Sequence, residues 1–192
     1  MSPSRWRPPT IPIPSAVERM DVAVDEWFEA HLRHRPWADR IMYSASAAGD
    51  HGYIWLALGV LQAVRLHHDR DWRRPLLRVS AGLGVESALV NGPVKWLFRR
   101  TRPVHEGPRP LHLRSPLTSS FPSGHASASF CAAVVLTNGQ PKLAPLWWSM
   151  ALVVSLSRCY VRMHHASDVV IGALIGAAVG RVAVVLVPLP KH

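Results

Sequence analysis

The chain has 192 residues, enough for one domain, and it is 48% hydrophobic and only 18% charged, an apolar balance for a water-soluble fold. A net charge of +10 with histidines neutral calls for an anionic partner; with no nucleic-acid-binding motif and no interleaving of basic and aromatic residues, DNA and RNA give way to an anionic membrane surface or a phosphorylated substrate. The two cysteines, Cys131 and Cys159, sit in apolar stretches at no metal-ligand spacing, so a disulfide scaffold and a cysteine metal site are excluded and both read as buried small hydrophobes.

Residues 1–14 are Pro-rich and read as an extended tail; Arg5 and Arg7 are followed by no apolar core, which argues against a cleavable signal peptide. Over 15–32 the apolar residues Val17, Met20, Val24, Trp27 and Phe28 recur at helical spacing among charges, which predicts an amphipathic helix on a membrane surface or on the rest of the fold. Pro36 is its stop signal, and 37–48 reads as a second short helix.

The first helix able to cross a membrane is predicted over 51–66, roughly 24 Å long, with Tyr53 and Trp55 as interfacial aromatics. The basic stretch 67–74 that follows contains His67 and His68 but no third ligand at useful spacing, so it reads as a solvated loop. A second helix is predicted over 75–98, kinked near its end by Pro93. Ser87, Asn91 and Lys95 are four apart and share one of its faces, and Glu86 reads equally as an internally paired packing residue or a functional one.

Residues 99–121 form a loop rich in Arg and Pro, suited to covering a pocket and binding head groups. Three further helices are predicted over 123–137, 143–161 and 168–187, with Trp147 and Trp148 as interfacial anchors of the second. Gly172, Gly176 and Gly180 form a small-residue ridge for close packing on the last, and Arg181 is placed to snorkel outward or to pair internally. The expected fold is therefore all-α: a transmembrane bundle of about five spanning helices preceded by interfacial helices, divided as tail 1–14, interfacial segment 15–48 and bundle 49–188.

Phe121-Pro122-Ser123-Gly124-His125 opens one of these helices. Ser123 is a natural N-cap, the exposed backbone N–H groups of a helix start bind anions, Gly124 permits close approach, and His125 can exchange a proton near neutral pH. Lys95 and Arg102-Pro103 stand upstream; Ser157-Arg158, His164 and Asp168 stand downstream. Each island lies at a helix end, and if each helix crosses once, all three fall on one membrane face. Taken singly, a basic patch is ordinary solvated surface and an i, i+4 His–Asp pair a local helix contact; an ordered set converging on one face is neither.

These three islands, in this order and spacing, resemble the signature of the type-2 phosphatidic acid phosphatase and vanadium haloperoxidase superfamily. The resemblance implies that Lys95, Arg102 and Arg158, with the backbone of Ser123 and Gly124, cradle a phosphoryl group. It implies that His164 is the nucleophile, that Asp168 accepts a hydrogen bond from its ring, and that His125 protonates the leaving alkoxide and then activates water. His165 is left as a neighbour touching substrate or solvent. No metal and no other cofactor is expected.

The implied activity is hydrolysis of a phosphomonoester or diphosphate of a membrane lipid, of the phosphatidate, phosphatidylglycerol phosphate or polyprenyl-phosphate type, through a phosphohistidine, within the bilayer of the cell membrane and without nucleic acid. Two alternatives stand beside it: vanadate-dependent haloperoxidation in the same cradle, and non-catalytic binding of phosphorylated lipids. The basic 67–74 loop places itself in the cytoplasm and the site outside, although the basic N-terminal arm pulls the other way.

Overall fold

The structure is a computed structural model and describes residues 12–65, 73–105, 109–111, 113 and 118–188. Within them the regular elements are all helices, as expected: α1 (Ser15–His31), α2 (Pro36–Ala48), α3 (Tyr53–Arg65), α4 (Arg73–Leu89), the short α5 (Lys95–Leu97), α6 (Gly124–Gly139), α7 (Ala144–Tyr160) and α8 (Ala166–Leu186). The expected tail lies almost wholly outside the described residues, as does most of the 67–74 loop.

Helix α6 is the hub, and its closest neighbour is α8. A Cβ added at Gly172, Gly176 or Gly180 would collide with the backbone of Ser123, Ser127 or Cys131 respectively. The glycine ridge therefore sets two backbones in direct contact and fixes the height of Ser123, the first residue of the central island. At the opposite end, buried Arg78 of α4 donates to the Asn138 side chain at 2.6 Å and to the Val187 carbonyl at 2.7 Å, tying the C-termini of α6 and α8 together.

Pro93 bends α4 as predicted, by a specific route. Residues Val90–Val94 form a single π-helical turn, and Gly92 leaves helical geometry at ψ −108°. Pro36, read as the stop of α1, is instead the first residue of α2, where a missing N–H costs nothing. Residue 51 does not open α3: Asp50–Gly52 is a separate 3₁₀ turn.

Two tryptophans depart from their predicted places. Trp55 is fully buried and Trp147 is 5% exposed, both in the core between α3, α4, α6 and α7, whereas Tyr53 and Trp148 face outward. On a helix apolar all round, composition does not say which side turns inward. Cys131 and Cys159 are buried free thiols.

Helix α8 is long and apolar enough to cross a membrane; α3, α4, α6 and α7 have 13 to 17 residues each. Polarity is distributed inside out. Gln62, Arg78, Glu86, Ser127 and Ser155 are buried, while Val60, Val64, Leu77, Val85, Leu152, Leu174 and Val185 are exposed.

Candidate active site

The three islands meet at one end of the bundle, around a cavity of about 410 Å³ whose walls include Lys95, Arg102, Gly124, His125, Arg158 and His164. The π-turn brings Lys95 over the start of α6: a Cβ added at Gly124 would lie 3.8 Å from Lys95 Nζ. Asn91 Oδ1 accepts from Nζ at 3.0 Å, and Asn91 Nδ2 donates to Ser87 Oγ at 3.1 Å, so the face predicted from the four-residue spacing is a hydrogen-bonded chain that aims the ammonium group.

Ser123 caps α6, with Oγ accepting from the Ala126 amide at 3.4 Å. Its own N–H differs from the expectation. It donates to the Asp168 carbonyl at 3.0 Å and is not available to a ligand. The amides left unpaired by helix geometry are those of Gly124 and His125, at the positive end of the α6 dipole.

Arg102 crosses the top of the cavity. It donates to the Met163 carbonyl at 2.6 Å and to the Thr118 and Ser119 carbonyls, and its Nη1 stands 3.3 Å from His164 Nε2. Arg158 is 1% exposed and donates through Nη1 to Ser46 Oγ. The Nε atoms of both arginines are buried without a partner. A spare N–H on buried Arg158 and another on half-buried Arg102, both residues lining one cavity, suit an anion with several oxygens.

His164 follows α7 and is 3% exposed. Its Nδ1 donates to the Ser120 carbonyl at 2.6 Å, which leaves the lone pair on Nε2, toward Arg102 and the cavity. Burial holds this imidazole well below its ordinary pKa, so it is neutral at physiological pH.

Asp168 is adjacent but occupied elsewhere. Its nearest oxygen is 3.8 Å from His164 Nδ1, beyond hydrogen-bonding distance, so the expected direct bond is replaced by the Ser120 carbonyl. Asp168 Oδ1 accepts from Arg100 at 2.7 Å, and Oδ2 accepts from the His165 backbone N–H at 2.9 Å, beside His165 Nδ1 at 3.2 Å. His165 is thereby the N-cap of α8.

Four partners escaped the sequence reading. Asp50 accepts from His125 Nε2 at 3.0 Å, and this bond holds the Asp50 carboxyl below the usual carboxylate range. Ser46 holds Arg158, and Ser120 orients His164. Asp21 of α1 accepts from Arg100 at 2.6 Å and from the Ser167 N–H and Oγ at 2.8 and 2.7 Å. Helices α1 and α2 carry none of the motif, yet Ser46 of α2 bonds Arg158 directly and Asp21 of α1 reaches Asp168 through Arg100.

The profile described as the PAP2 superfamily matches residues 75–190. The decaprenylphosphoryl-5-phosphoribose phosphatase of Mycobacterium tuberculosis is 33% identical over 165 residues, covering 85% of this chain and 89% of that protein. The phosphatidylglycerophosphatase B of Bacillus subtilis is 24% identical over 178 residues, covering 84% and 80%. Among solved structures, the transmembrane PAP2-type phosphatidylglycerolphosphate phosphatase of Bacillus subtilis superposes with a TM-score of 0.68 at 24% identity, over 90% of this chain and 87% of that one. Aquifex aeolicus LpxE superposes with a TM-score of 0.67 at 22% identity, over 92% and 99%. Motif, fold and sequence agree: the chain belongs to the PAP2 superfamily.

Proposed function

We propose that this chain is an integral-membrane phosphatase that removes a terminal phosphate from a membrane lipid phosphate through a phosphohistidine at His164. The observation that carries this reading is the orientation of the ring. With Nδ1 committed to the Ser120 carbonyl, the nucleophilic lone pair is on Nε2, beside Arg102 in a cavity lined by cations.

In the first step Nε2 attacks phosphorus, an N–P bond forms, and the P–O bond to the lipid breaks. Lys95, Arg102, Arg158 and the free amides of Gly124 and His125 stabilise the charge on the phosphoryl oxygens as it redistributes. His125 gives a proton to the departing alkoxide, with Asp50 beside it to balance the positive charge the ring carries beforehand. In the second step His125 takes a proton from water, the hydroxide attacks phosphorus, the N–P bond breaks, and inorganic phosphate leaves with His164 restored.

Placement in a membrane is supported by the α8 span and the inside-out polarity, with α3, α4, α6 and α7 as the other crossings. The relatives' names point to lipid phosphates as substrates: a decaprenylphosphoryl sugar phosphate and phosphatidylglycerophosphate. Purified protein in detergent, assayed against a panel of such lipids, is expected to release phosphate in the presence of EDTA and to be inhibited by orthovanadate. A strict requirement for Mg²⁺ would overturn the mechanism, and no release from any lipid phosphate would overturn the function.

A further inference from the structure

A second cavity, of about 420 Å³, lies between α1, the segment that leads out of α5 and the first turns of α8. Its apolar walls include Val17 and Met20 of α1, Val170 and Ile171 of α8, and the rings of Phe98 and Phe121, whose centroids are 5.4 Å apart. The volume falls in the range of small-ligand sites, roughly 300–1,000 Å³. Met20, Val170 and Ile171 are exposed, as is Leu174 one turn beyond Val170, so the cavity is a groove that opens along the outer, apolar face of α8.

Arg99 stands at the polar end of this groove. It is exposed, and among the described residues it makes no hydrogen bond or ion pair. Arg100 also lines the groove but is committed to Asp21 and Asp168. Ser167, at the start of α8, marks this end as the one that carries the site. An uncommitted cation at a helix end, above an apolar trough open to the side, is complementary to an anionic head group with a hydrocarbon chain.

We propose that the groove binds an anionic glycerophospholipid other than the substrate, with one acyl chain between α1 and α8 and its phosphate on Arg99. This rests on the membrane placement given above. The groove and the phosphate cradle share no wall residue, and a row of side chains separates them: His164 lines the cradle, Asp168 is 3.8 Å from His164, and Arg100, bonded to Asp168, lines the groove. The chain's own N-terminus is a poor occupant, because residues 1–11 carry Arg5 and Arg7 and no carboxylate to meet Arg99. Met20, Arg99 and Ser167 each line the groove, and each directly precedes a member of the Asp21–Arg100–Asp168 chain. A lipid seated there clamps the three segments that carry that chain, and it stabilises the folded protein because the unfolded chain has no such groove.

The test titrates the purified protein, in a neutral detergent, with dioleoylphosphatidylglycerol or with dioleoylphosphatidylcholine, which has the same chains and no net charge. Native mass spectrometry reads bound lipid, and thermal unfolding reads stability. The anionic lipid is expected to bind more tightly and to raise the unfolding midpoint. Arg99→Gln, at an exposed position that folding does not depend on, should weaken phosphatidylglycerol binding about fivefold and leave phosphatidylcholine binding unchanged. Ile171→Trp, which fills the groove, should weaken both. Equal binding of the two lipids, or undiminished phosphatidylglycerol binding in Arg99→Gln, overturns the site. So does competition between phosphatidylglycerol and a lipid phosphate substrate that Arg99→Gln relieves, because the groove would then hold the substrate's own chain. Each of these results leaves the phosphatase standing; that reading fails separately, if no lipid phosphate is hydrolysed.

Discussion

His164 gives its Nδ1 hydrogen to the carbonyl of Ser120 at 2.6 Å, while the nearest oxygen of Asp168 is 3.8 Å from the same nitrogen. A backbone carbonyl, fixed by the loop that leads into α6, therefore sets the tautomer of the proposed nucleophile. Asp168 lies near enough to stabilise a positive ring but spends its hydrogen bonds on Arg100 and on the N-terminus of α8. It is one link in a buried chain of charges, Asp21–Arg100–Asp168, running from α1 to the site.

That chain ties α1 to the proposed catalytic residues. Asp21→Ala leaves Arg100 with one carboxylate instead of two and the Ser167 N–H without an acceptor. It is expected to destabilise the protein by about 2–4 kcal/mol and to lower kcat. Asp21→Asn, which keeps an acceptor for Ser167, should lose less. Thermal unfolding in detergent reads the effect, and an unchanged midpoint in Asp21→Ala would remove α1 from the account.

Asp50 is proposed to act through His125, whose Nε2 it bonds. Asp50→Asn is expected to lower kcat about 10- to 100-fold with KM little changed, since a general acid contributes on the order of 10²–10⁴-fold. Introduced into His125→Ala, the same substitution should cost nothing more. Additive losses in the double variant would show that Asp50 acts elsewhere.

Burial of neutral His164 also predicts a pH dependence of stability. Its folded pKa is depressed to about 3, against about 6.5 when unfolded. Above both values the group contributes nothing to the pH dependence; as pH falls below 6.5 the unfolded chain takes up a proton that the folded chain does not, and stability declines toward pH 3. The slope for one proton is about 1.4 kcal/mol per pH unit. Unfolding of His164→Gln measured between pH 6.5 and pH 4.5 should be less acid-sensitive than that of the unsubstituted protein; equal sensitivity would mean that the ring is not held neutral.

The site is proposed to face away from the cytoplasm. The end of α3 and the start of α4 lie remote from the cavity, the sequence between them is basic, and positive loops stay inside. The basic N-terminal arm does not oppose this if α1 and α2 lie along the membrane at the site end, consistent with the bonds of Arg33 to the Cys159 and Tyr160 carbonyls. A membrane-impermeant maleimide applied to intact cells should label a cysteine at Val104, which is 75% exposed, and spare one at Asp71. The opposite pattern would invert the orientation.

The elements that sequence made legible are those whose signals are local. The cap at Ser123, the kink at Pro93, the Ser87–Asn91–Lys95 face and the glycine ridge each depend on residues within a few helical turns. The partners that escaped are distant in the chain: Asp50 lies 75 residues from His125, and Asp21 lies 79 from Arg100 and 146 from Ser167. Nothing in the neighbourhood of Asp21 separates an acidic residue on a solvated helix face from one buried against an arginine. The same limit explains Ser120, whose side chain is irrelevant to its role, because it is the carbonyl that holds His164.

His164, and not the adjacent His165, is proposed to carry the phosphoryl group. His165 has its Nδ1 beside Asp168 and caps α8, whereas His164 alone presents Nε2 to Arg102. Protein quenched during turnover of a lipid phosphate and digested under alkaline conditions should yield an acid-labile phosphohistidine that mass spectrometry places on residue 164. His164→Ala should abolish that species and turnover together, and His165→Ala should retain both. Phosphate found on residue 165, or a trapped phosphoenzyme that survives His164→Ala, would contradict the account.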